Sequence, residues 1–206
     1  MESVDGAPVI IGASHTRVTD EIGPAADSFA RWRAIAFSNI LDPPLRETLL
    51  KVSDRSTFIA DVVEGLGHRE VEAPARAGAA ITLALKRSNL LRWIEAVTGC
   101  GPLGEVDGRL AQAHPGGLDQ LTWHDDMVDR GRRLAITINL TDRPYEGGEF
   151  ELRAKGRDAV LVRHRHVEPG SALLFEVAPG LEHRVLPVLS GGPRRVYAGW
   201  FFRARA

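Results

Sequence analysis

The strictest pattern in this chain is an alternation of apolar residues in its second half. Leu134, Ile136, Ile138 and Leu140 occupy every second position, which is the repeat of a β-strand with a buried face. Further short strand candidates lie at 150–152, 172–175, 185–188 and 196–202. Glycine, proline and aspartate separate these runs. Many short, evenly spaced strands predict a sandwich or a jelly-roll barrel.

The first half of the chain mixes helices with short strands. Strands are predicted at 9–11 and 34–37, and a helix at 45–52 follows Pro43 and Pro44, which suit a first helical turn. A second helical segment is predicted from about 77 to 97, with Gly99 as its C-cap. The predicted fold class is therefore α+β, mainly β. One domain, 1–206, would comprise an N-terminal helical and strand support region, 1–103, and a jelly-roll core, 104–203.

Composition narrows the classes of partner. A hydrophobic fraction of 44% and a charged fraction of 26% are ordinary for a soluble globular protein. The net charge of −1 predicts no nucleic-acid partner. The single Cys100 excludes an internal disulfide and a cysteine-based zinc site, and it suits a reducing compartment. Residues 1–5 lack the features of a signal peptide, and no apolar run approaches a membrane span. We therefore expect a cytoplasmic protein without a membrane partner.

Three residues form a candidate metal site. His124 and Asp126 make a His-x-Asp pair at the end of a predicted strand, where alternation would put both side chains on one face. His183 is placed near the start of a later strand and supplies a second imidazole. Two imidazoles and one carboxylate hold non-haem Fe(II) and leave coordination positions open. Asp125 competes with Asp126, and the His-x-Asp spacing favours Asp126.

An arginine that follows the last candidate ligand is a candidate anion site. Arg194 lies eleven positions after His183, and its guanidinium fork could bind the carboxylate of an acidic co-substrate. Arg195 is the adjacent alternative, because strand alternation lets only one of the two point inward.

Two other conspicuous groups are interpreted as structural. The run Arg163-His164-Arg165-His166 is predicted to be a solvated loop or an edge strand. Trp123, beside the first candidate ligand, is expected either to line the pocket or to pack in the core.

The order and spacing of several segments resemble the prolyl-4-hydroxylase-like group of 2-oxoglutarate/Fe(II) oxygenases. Besides the His-x-Asp pair, the resemblance rests on His114-Pro115-Gly116, Tyr145-Glu146-Gly147-Gly148-Glu149-Phe150, Pro169-Gly170-Ser171-Ala172-Leu173-Leu174-Phe175, His183-Arg184-Val185-Leu186-Pro187-Val188, Gly192-Pro193-Arg194 and Trp200-Phe201. It covers roughly residues 104 to 203. The first half matches only in having helices that could buttress such a barrel.

The resemblance assigns residues as well as a fold. It implies a double-stranded β-helix (jelly-roll) barrel in which His124, Asp126 and His183 bind the iron. The family's arginine precedes a tryptophan by six residues, which selects Arg194 when counted from Trp200. Two family tyrosines that contact the co-substrate are replaced by His114 and, at about its position, Asn139. Both replacements can still hydrogen-bond a carboxylate.

The implied activity is hydroxylation of an unactivated C–H bond. By resemblance it needs Fe(II), 2-oxoglutarate as co-substrate and O2, with ascorbate as a reductant, and it converts 2-oxoglutarate to succinate. The acidic ligand argues against a halogenase, which lacks that carboxylate. The substrate class is left open among a peptidyl residue, an amino acid and a small metabolite, and the sequence does not predict the oligomeric state.

Two alternatives to the oxygenase interpretation remain. A cupin-like metal barrel would normally add a His-x-His and a glutamate, and a degenerate binding module would have lost a triad residue or the arginine.

Overall fold

The computed structural model describes residues 8–116, 119–127 and 131–205. The N-terminal residues that bear on a signal peptide lie outside these ranges. The described helices are α1 (Gly23–Trp32), α2 (Pro43–Asp54), α3 (Ala77–Leu85) and α4 (Ser88–Thr98). None of these four helices is long and apolar enough to cross a membrane.

The described strands outnumber the helices, in accord with the predicted fold class. They are β1 (Val9–Ile11), β2 (Thr16–Val18), β3 (Ala34–Phe37), β4 (Phe58–Val63), β5 (Gly67–Glu72), β6 (Leu103–Ala113), β7 (Leu121–His124), β8 (Arg132–Asn139), β9 (Tyr145–Gly147), β10 (Phe150–Ala154), β11 (Val160–His164), β12 (Ala172–Glu176), β13 (Leu181–Val185), β14 (Val188–Gly191) and β15 (Arg194–Arg203).

Eleven of these strands form one antiparallel sheet that closes almost completely into a barrel. Its order is β11-β10-β13-β7-β5-β6-β15-β8-β12-β3, with β4 paired to β5. A twisted sheet of this length curls on itself, which protects edges that would otherwise attract other chains. The predicted jelly-roll architecture is confirmed.

Strand β8 is buried on both faces, which explains its apolar character. Leu134, Ile136 and Ile138 pack with helical residues in one core cluster. Ala135, on the opposite face, belongs to a second cluster inside the barrel. The alternation seen in the sequence therefore marks the face that is covered by helices, and the other face is left for the barrel interior.

Helices α3 and α4 lie over strands β6 and β15. Ile81, Leu85 and Ile94 are at most 2% exposed, and they seal this side of the sheet. The Oγ1 of Thr82 and the phenolic oxygen of Tyr197 are 2.8 Å apart, which joins α3 to β15. The first half thus buttresses the barrel as expected.

The first half also contributes strands to the barrel. Strands β3, β4 and β5 all belong to the large sheet, and β4 and β5 form a hairpin with Phe58 opposite Glu72. This hairpin was missed in the sequence because its strands carry charged residues and are only partly buried.

Two predicted elements had the wrong bounds. The single helical segment at 77–97 is two helices, because the chain turns at Lys86 and Arg87. Arg87 has extended backbone and donates to the carbonyl oxygens of Gly12, Ala13 and His15. The strand predicted at 185–188 is instead the end of β13 and the start of β14, so His183 lies in the middle of a strand rather than before one.

Candidate active site

Three side chains meet inside the barrel near one end of β7. Ligand atoms of His124, Asp126 and His183 all lie within 4.8 Å of one another. His124 on β7 is directly opposite His183 on β13, and their ring centroids are 4.1 Å apart. Register between two neighbouring strands therefore brings together imidazoles that are distant in sequence.

The carboxylate joins the imidazoles through a turn rather than through strand alternation. Strand β7 ends at His124, and Asp126 has a φ of 55°, in the left-handed region that asparagine and aspartate tolerate best. The prediction that both side chains share one face of a strand was wrong in this respect. Trp200 Nε1 donates to Asp126 Oδ2 at 2.7 Å and holds the carboxylate in place.

Hydrogen bonding and burial prepare both imidazoles for a metal. His124 Nδ1 is 2.7 Å from the carbonyl oxygen of Thr122, so Nδ1 carries the proton and Nε2 presents its lone pair. Burial lowers the pKa of His183 to about 3, the adjacent His124 adds to this, and Asp126 opposes it. Neutral imidazoles are the forms that bind metals.

Asp125 is held away from the group. Its Oδ2 accepts from Lys155 Nζ at 2.6 Å, and its Oδ1 accepts from the backbone N–H of Met127. The hydrogen bond from Lys155 lowers the pKa of Asp125. The structure therefore brings Asp126, and not Asp125, to the two histidines.

The donor set fits a metal with free coordination positions. Two neutral imidazole nitrogens and one carboxylate suit Fe(II). The three side chains line a cavity of about 420 Å³ whose wall also includes the exposed Val62 of β4. The group thus faces a space that a substrate can enter from the surface.

A second, smaller cavity of about 70 Å³ adjoins the first and contains Arg194. Leu121, Thr137, Val185 and Ala198 line both cavities. The two cavities therefore share a wall, and the arginine lies in the cavity next to the three-residue group.

Arg194 brings a buried guanidinium to the smaller cavity. It is 8% exposed, and its Nε has no hydrogen-bond partner among the described residues. Its long side chain runs close to the backbone of Gly148, where a Cβ would lie 2.6 Å from Arg194 Cδ. A buried donor without a partner is costly, so this position is suited to an anionic ligand.

Strand alternation separates the two adjacent arginines. Arg194 shares its face of β15 with Trp200, which lies in the barrel interior. Arg195 faces the other way, where it donates to Gln112 Oε1 at 2.8 Å and pairs with Asp54. Arg195 therefore already has its partners.

The two residues at the positions of family tyrosines lie outside these cavities. His114 Nε2 is 2.9 Å from Gln112 Nε2 and 3.2 Å from Glu70 Oε2. Asn139 is fully buried, and its Oδ1 accepts from Thr141 N at 3.1 Å. Neither residue lines the two cavities, and their contact with a co-substrate stays a prediction.

His166 is a site residue that the sequence interpretation missed. Instead of lying in a solvated run, it is 3% exposed, and its Nε2 is 2.9 Å from Thr137 Oγ1 on the cavity wall. The alternation of Val162, His164 and His166 was the available signal, because it directs these three to one side of β11 and its extension. Arg163 fulfils the prediction of an edge strand, since β11 lies at the end of the sheet.

Trp123 belongs to neither of its predicted environments. Its ring lies between the guanidinium groups of Arg153, at 3.8 Å, and Arg184, at 4.6 Å. As the residue before His124 on β7, it points away from the barrel interior.

The family comparison agrees with this geometry. The model of the 2OG-Fe(II) oxygenase superfamily matches residues 110–202, just under half of the chain. That span contains the His-Asp-His group and the buried Arg194. Over this span the chain is similar to the 2OG-Fe(II) oxygenase superfamily. The members of that superfamily use Fe(II) and 2-oxoglutarate, which the donor set and the buried arginine of this site fit.

One curated relative is named as a prolyl hydroxylase. Prolyl 3-hydroxylase OGFOD1 of Xenopus laevis is 32% identical to this chain over 116 residues, which are 53% of this chain and 22% of the relative. The chain therefore spans about a fifth of the length of that curated relative.

Solved structures share the fold. A Pseudomonas putida prolyl-4-hydroxylase superposes with a TM-score of 0.67 at 17% identity, covering 89% of this chain and 100% of the other. A Trichoplax adhaerens prolyl hydroxylase, in complex with a peptide fragment of the hypoxia inducible factor oxygen degradation domain, superposes with a TM-score of 0.68 at 15% identity, covering 88% of each chain. These likenesses concern the barrel, and the assignment of individual residues rests on the geometry described above.

Proposed function

We propose that this protein is an Fe(II)- and 2-oxoglutarate-dependent dioxygenase that hydroxylates a C–H bond of a peptidyl substrate. The observation that carries the proposal is the pair of adjoining cavities in the barrel interior, with the His-Asp-His group in the larger one and, in the smaller one, Arg194, whose buried Nε has no acceptor among the described residues. A metal group alone is compatible with a cupin-like barrel. A buried guanidinium with an open donor beside the metal group calls for an acidic co-substrate.

Each end of this interior has a distinct role in the proposal. His124, Asp126 and His183 would hold Fe(II), and three protein ligands leave positions for O2 and a chelating co-substrate. When bound, Fe(II) supplies the oxidative chemistry that couples decarboxylation of 2-oxoglutarate, giving succinate, to substrate hydroxylation. Arg194 would bind the far carboxylate of 2-oxoglutarate through its guanidinium fork.

The mouth of the larger cavity supports a peptide as substrate. Arg132 lines it, with its guanidinium carbon 4.2 Å from the ring centroid of Trp200, and its Nε lacks a hydrogen-bond acceptor among the described residues. A peptide carbonyl would supply that acceptor. The exposed Val62 of the β4–β5 hairpin adds apolar surface at the same mouth. The relatives named as prolyl hydroxylases make a peptidyl proline the first candidate.

The cofactor assignment is tested by titrating the purified apo-protein with Fe(II) and 2-oxoglutarate without oxygen. We expect a weak visible charge-transfer band that needs both components, is lost in His183→Ala and is weakened in Arg194→Ala. Tight binding of zinc, or no metal binding, in the absence of a band would overturn the proposal in favour of a cupin-like barrel or a binding module.

The substrate class is tested by mass spectrometry of proline-containing peptides and of free amino acids after incubation with the loaded enzyme. We expect a gain of one oxygen atom in a peptide and a lower yield with Arg132→Leu at an unchanged affinity for Fe(II). The affinity for Fe(II) is measured separately, because Arg132 Nη1 also lies 3.5 Å from Asp126 Oδ1. Hydroxylation confined to free amino acids would contradict the peptidyl assignment.

Ascorbate as a reductant and a cytoplasmic location remain predictions.

A further inference from the structure

A second arginine at the mouth of the larger cavity is only loosely engaged. Arg109 lies on β6, opposite the small Ala198 of β15, and it lines the cavity that contains the metal group. Among the described residues its guanidinium has one ion pair, with 3.6 Å between Arg109 Nη1 and Asp61 Oδ2. The side chain is 42% exposed. Arg109 can therefore donate hydrogen bonds to a molecule that enters the cavity.

The ion pair with Asp61 does not account for Arg109, because Asp61 has a closer partner. Arg69 lies directly opposite Asp61 in the β4–β5 hairpin, and its Nε donates to the same oxygen, Oδ2, at 2.8 Å. The side chain of Arg69 is also the more buried of the two arginines, at 15% exposed. The pair of Asp61 and Arg69 ties the two strands together, and a longer, partly exposed contact to Arg109 adds little stability.

The wall of the larger cavity carries an excess of positive charge. Asp126 is one of the three candidate ligands, so its charge would be offset by the metal. The other charged lining residues among those described are three arginines and two carboxylates: Arg69, Arg109, Arg132, Asp61 and Glu64. The chain as a whole has a net charge of −1, so this excess is local. A cavity lined by one sign of charge raises the local concentration of molecules of the opposite sign.

Arg109 is also close to the metal group. Its guanidinium carbon is 5.9 Å from the ring centroid of Trp200, whose Nε1 donates to Asp126. Arg132 lies against the same ring, but its Nη1 already donates to the backbone carbonyl of Asp126 at 3.2 Å. One side chain therefore separates Arg109 from a candidate metal ligand, and an anion bound by Arg109 would lie beside the part of the substrate that approaches the metal.

We propose that Arg109 is a specificity-determining residue that binds the side-chain carboxylate of an acidic peptide, next to the residue that is hydroxylated. This inference rests on the proposed function, since it names the class of peptide that the same cavity accepts. An aspartate or glutamate of the substrate would form a charge-assisted hydrogen bond with the guanidinium, and a neutral amide of the same shape would form a weaker one.

The preference is tested with two pools of acetylated and amidated pentapeptides that have a central proline. One pool has glutamate on one side of the proline, before or after it, and the other has glutamine at the same positions. Both pools compete in one reaction with the loaded protein, and mass spectrometry gives the ratio of their initial rates of hydroxylation. We expect the glutamate pool to be preferred by about three- to ten-fold. The preference should fall at high salt, because the contact is partly exposed.

Substitutions assign the preference to one side chain. Arg109→Gln should bring the ratio close to one, whereas Arg109→Lys keeps the charge and should retain part of the preference. Arg133→Gln is the matched control, because Arg133 lies on β8 with its side chain on the opposite face from Arg132 and lines neither cavity. The ratio compares two substrates of the same protein sample, so a loss of active protein in a variant does not affect it. An unchanged ratio in Arg109→Gln, or an equal fall in Arg133→Gln, would overturn the role of Arg109.

The outcomes separate this inference from the proposed function. A wild-type protein that shows no charge-transfer band with Fe(II) and 2-oxoglutarate overturns the proposed function itself. Hydroxylation of both pools at equal rates overturns only the preference for an acidic peptide. Hydroxylation of neither pool by a protein that shows the band overturns the peptidyl assignment, and this inference with it.

Discussion

The indole nitrogen of Trp200 donates a 2.7 Å hydrogen bond to Oδ2 of Asp126, the carboxylate of the candidate metal group. Trp200 lies on β15 and Asp126 follows β7, so the two residues are 74 positions apart in the sequence. The bond gives one oxygen of the Asp126 carboxylate a hydrogen-bond donor and limits the rotation of that side chain. The backbone of Asp126 itself has a strained φ of 55°. Orientation of a ligand by such an outer partner raises metal affinity.

Trp200→Phe should therefore weaken metal binding by about 10- to 100-fold while the fold persists. Calorimetry with Mn(II) in place of Fe(II) measures the affinity without oxidation. Trp93→Phe is the matched control, because it also removes an indole hydrogen bond, that of Nε1 to the Thr19 carbonyl, in the helix-packed core. Equal affinities for Trp200→Phe and the wild type would show that the turn alone orients Asp126.

The barrel was predictable because its strands carry a clear local signal. Strand β8 alternates strictly, and turn residues separate the strands that follow it. The metal group was predictable from residue types, since a carboxylate between two histidines has few other uses. The strand signal lies within a few consecutive residues, whereas the metal group joins the local His-x-Asp pair to the distant His183.

What was missed depends on contacts between distant segments. The left-handed φ of Asp126 and the hydrogen bond from Trp200 arise only when β15 meets the turn after β7. The burial of His166 was hidden because it lies in a run with two arginines, and only the folded chain brings its side chain to Thr137 of β8. The β4–β5 hairpin was missed because charged residues on its strands obscure their alternation.

Arg194→Lys should lower the affinity for 2-oxoglutarate by at least about ten-fold and leave metal binding unchanged. A lysine keeps the charge, but it cannot offer two parallel donors to a carboxylate. Arg195→Lys is the matched control, because Arg195 faces Gln112 and Asp54 rather than the barrel interior. Co-substrate affinity is measured by titration of the charge-transfer band. A larger loss in Arg195→Lys than in Arg194→Lys would reverse the assignment of the two arginines.

Gly148→Ala should weaken 2-oxoglutarate binding through Arg194. A Cβ at Gly148 would lie 2.6 Å from Arg194 Cδ, so the guanidinium must shift. Gly156→Ala is a control for backbone strain, because both glycines have positive φ, 67° and 72°, and a Cβ at Gly156 meets nothing within 4 Å. Both variants should lose about 1 kcal/mol of stability or slightly more. Only Gly148→Ala should lose co-substrate affinity in the same titration, and a similar loss in Gly156→Ala would point to a general effect of strain.

Acid should destabilise the protein through His164 before most carboxylates titrate. Burial lowers the pKa of His164 to about 4 from 6.5, and Arg194 contributes to the shift. Between these values the unfolded chain binds more protons than the folded one, so this contribution to stability is complete above pH 6.5 and is lost as the pH falls toward 4. At pH 5 the loss from His164 amounts to up to about 2 kcal/mol relative to pH 7. Urea unfolding of the wild type and of His164→Asn at pH 7 and pH 5 measures this loss. Because asparagine does not titrate, the free energy of unfolding should differ less between the two pH values in the variant than in the wild type. An identical pH dependence in both proteins would mean that His164 is protonated in the folded state and that other groups, such as His166, carry the acid sensitivity.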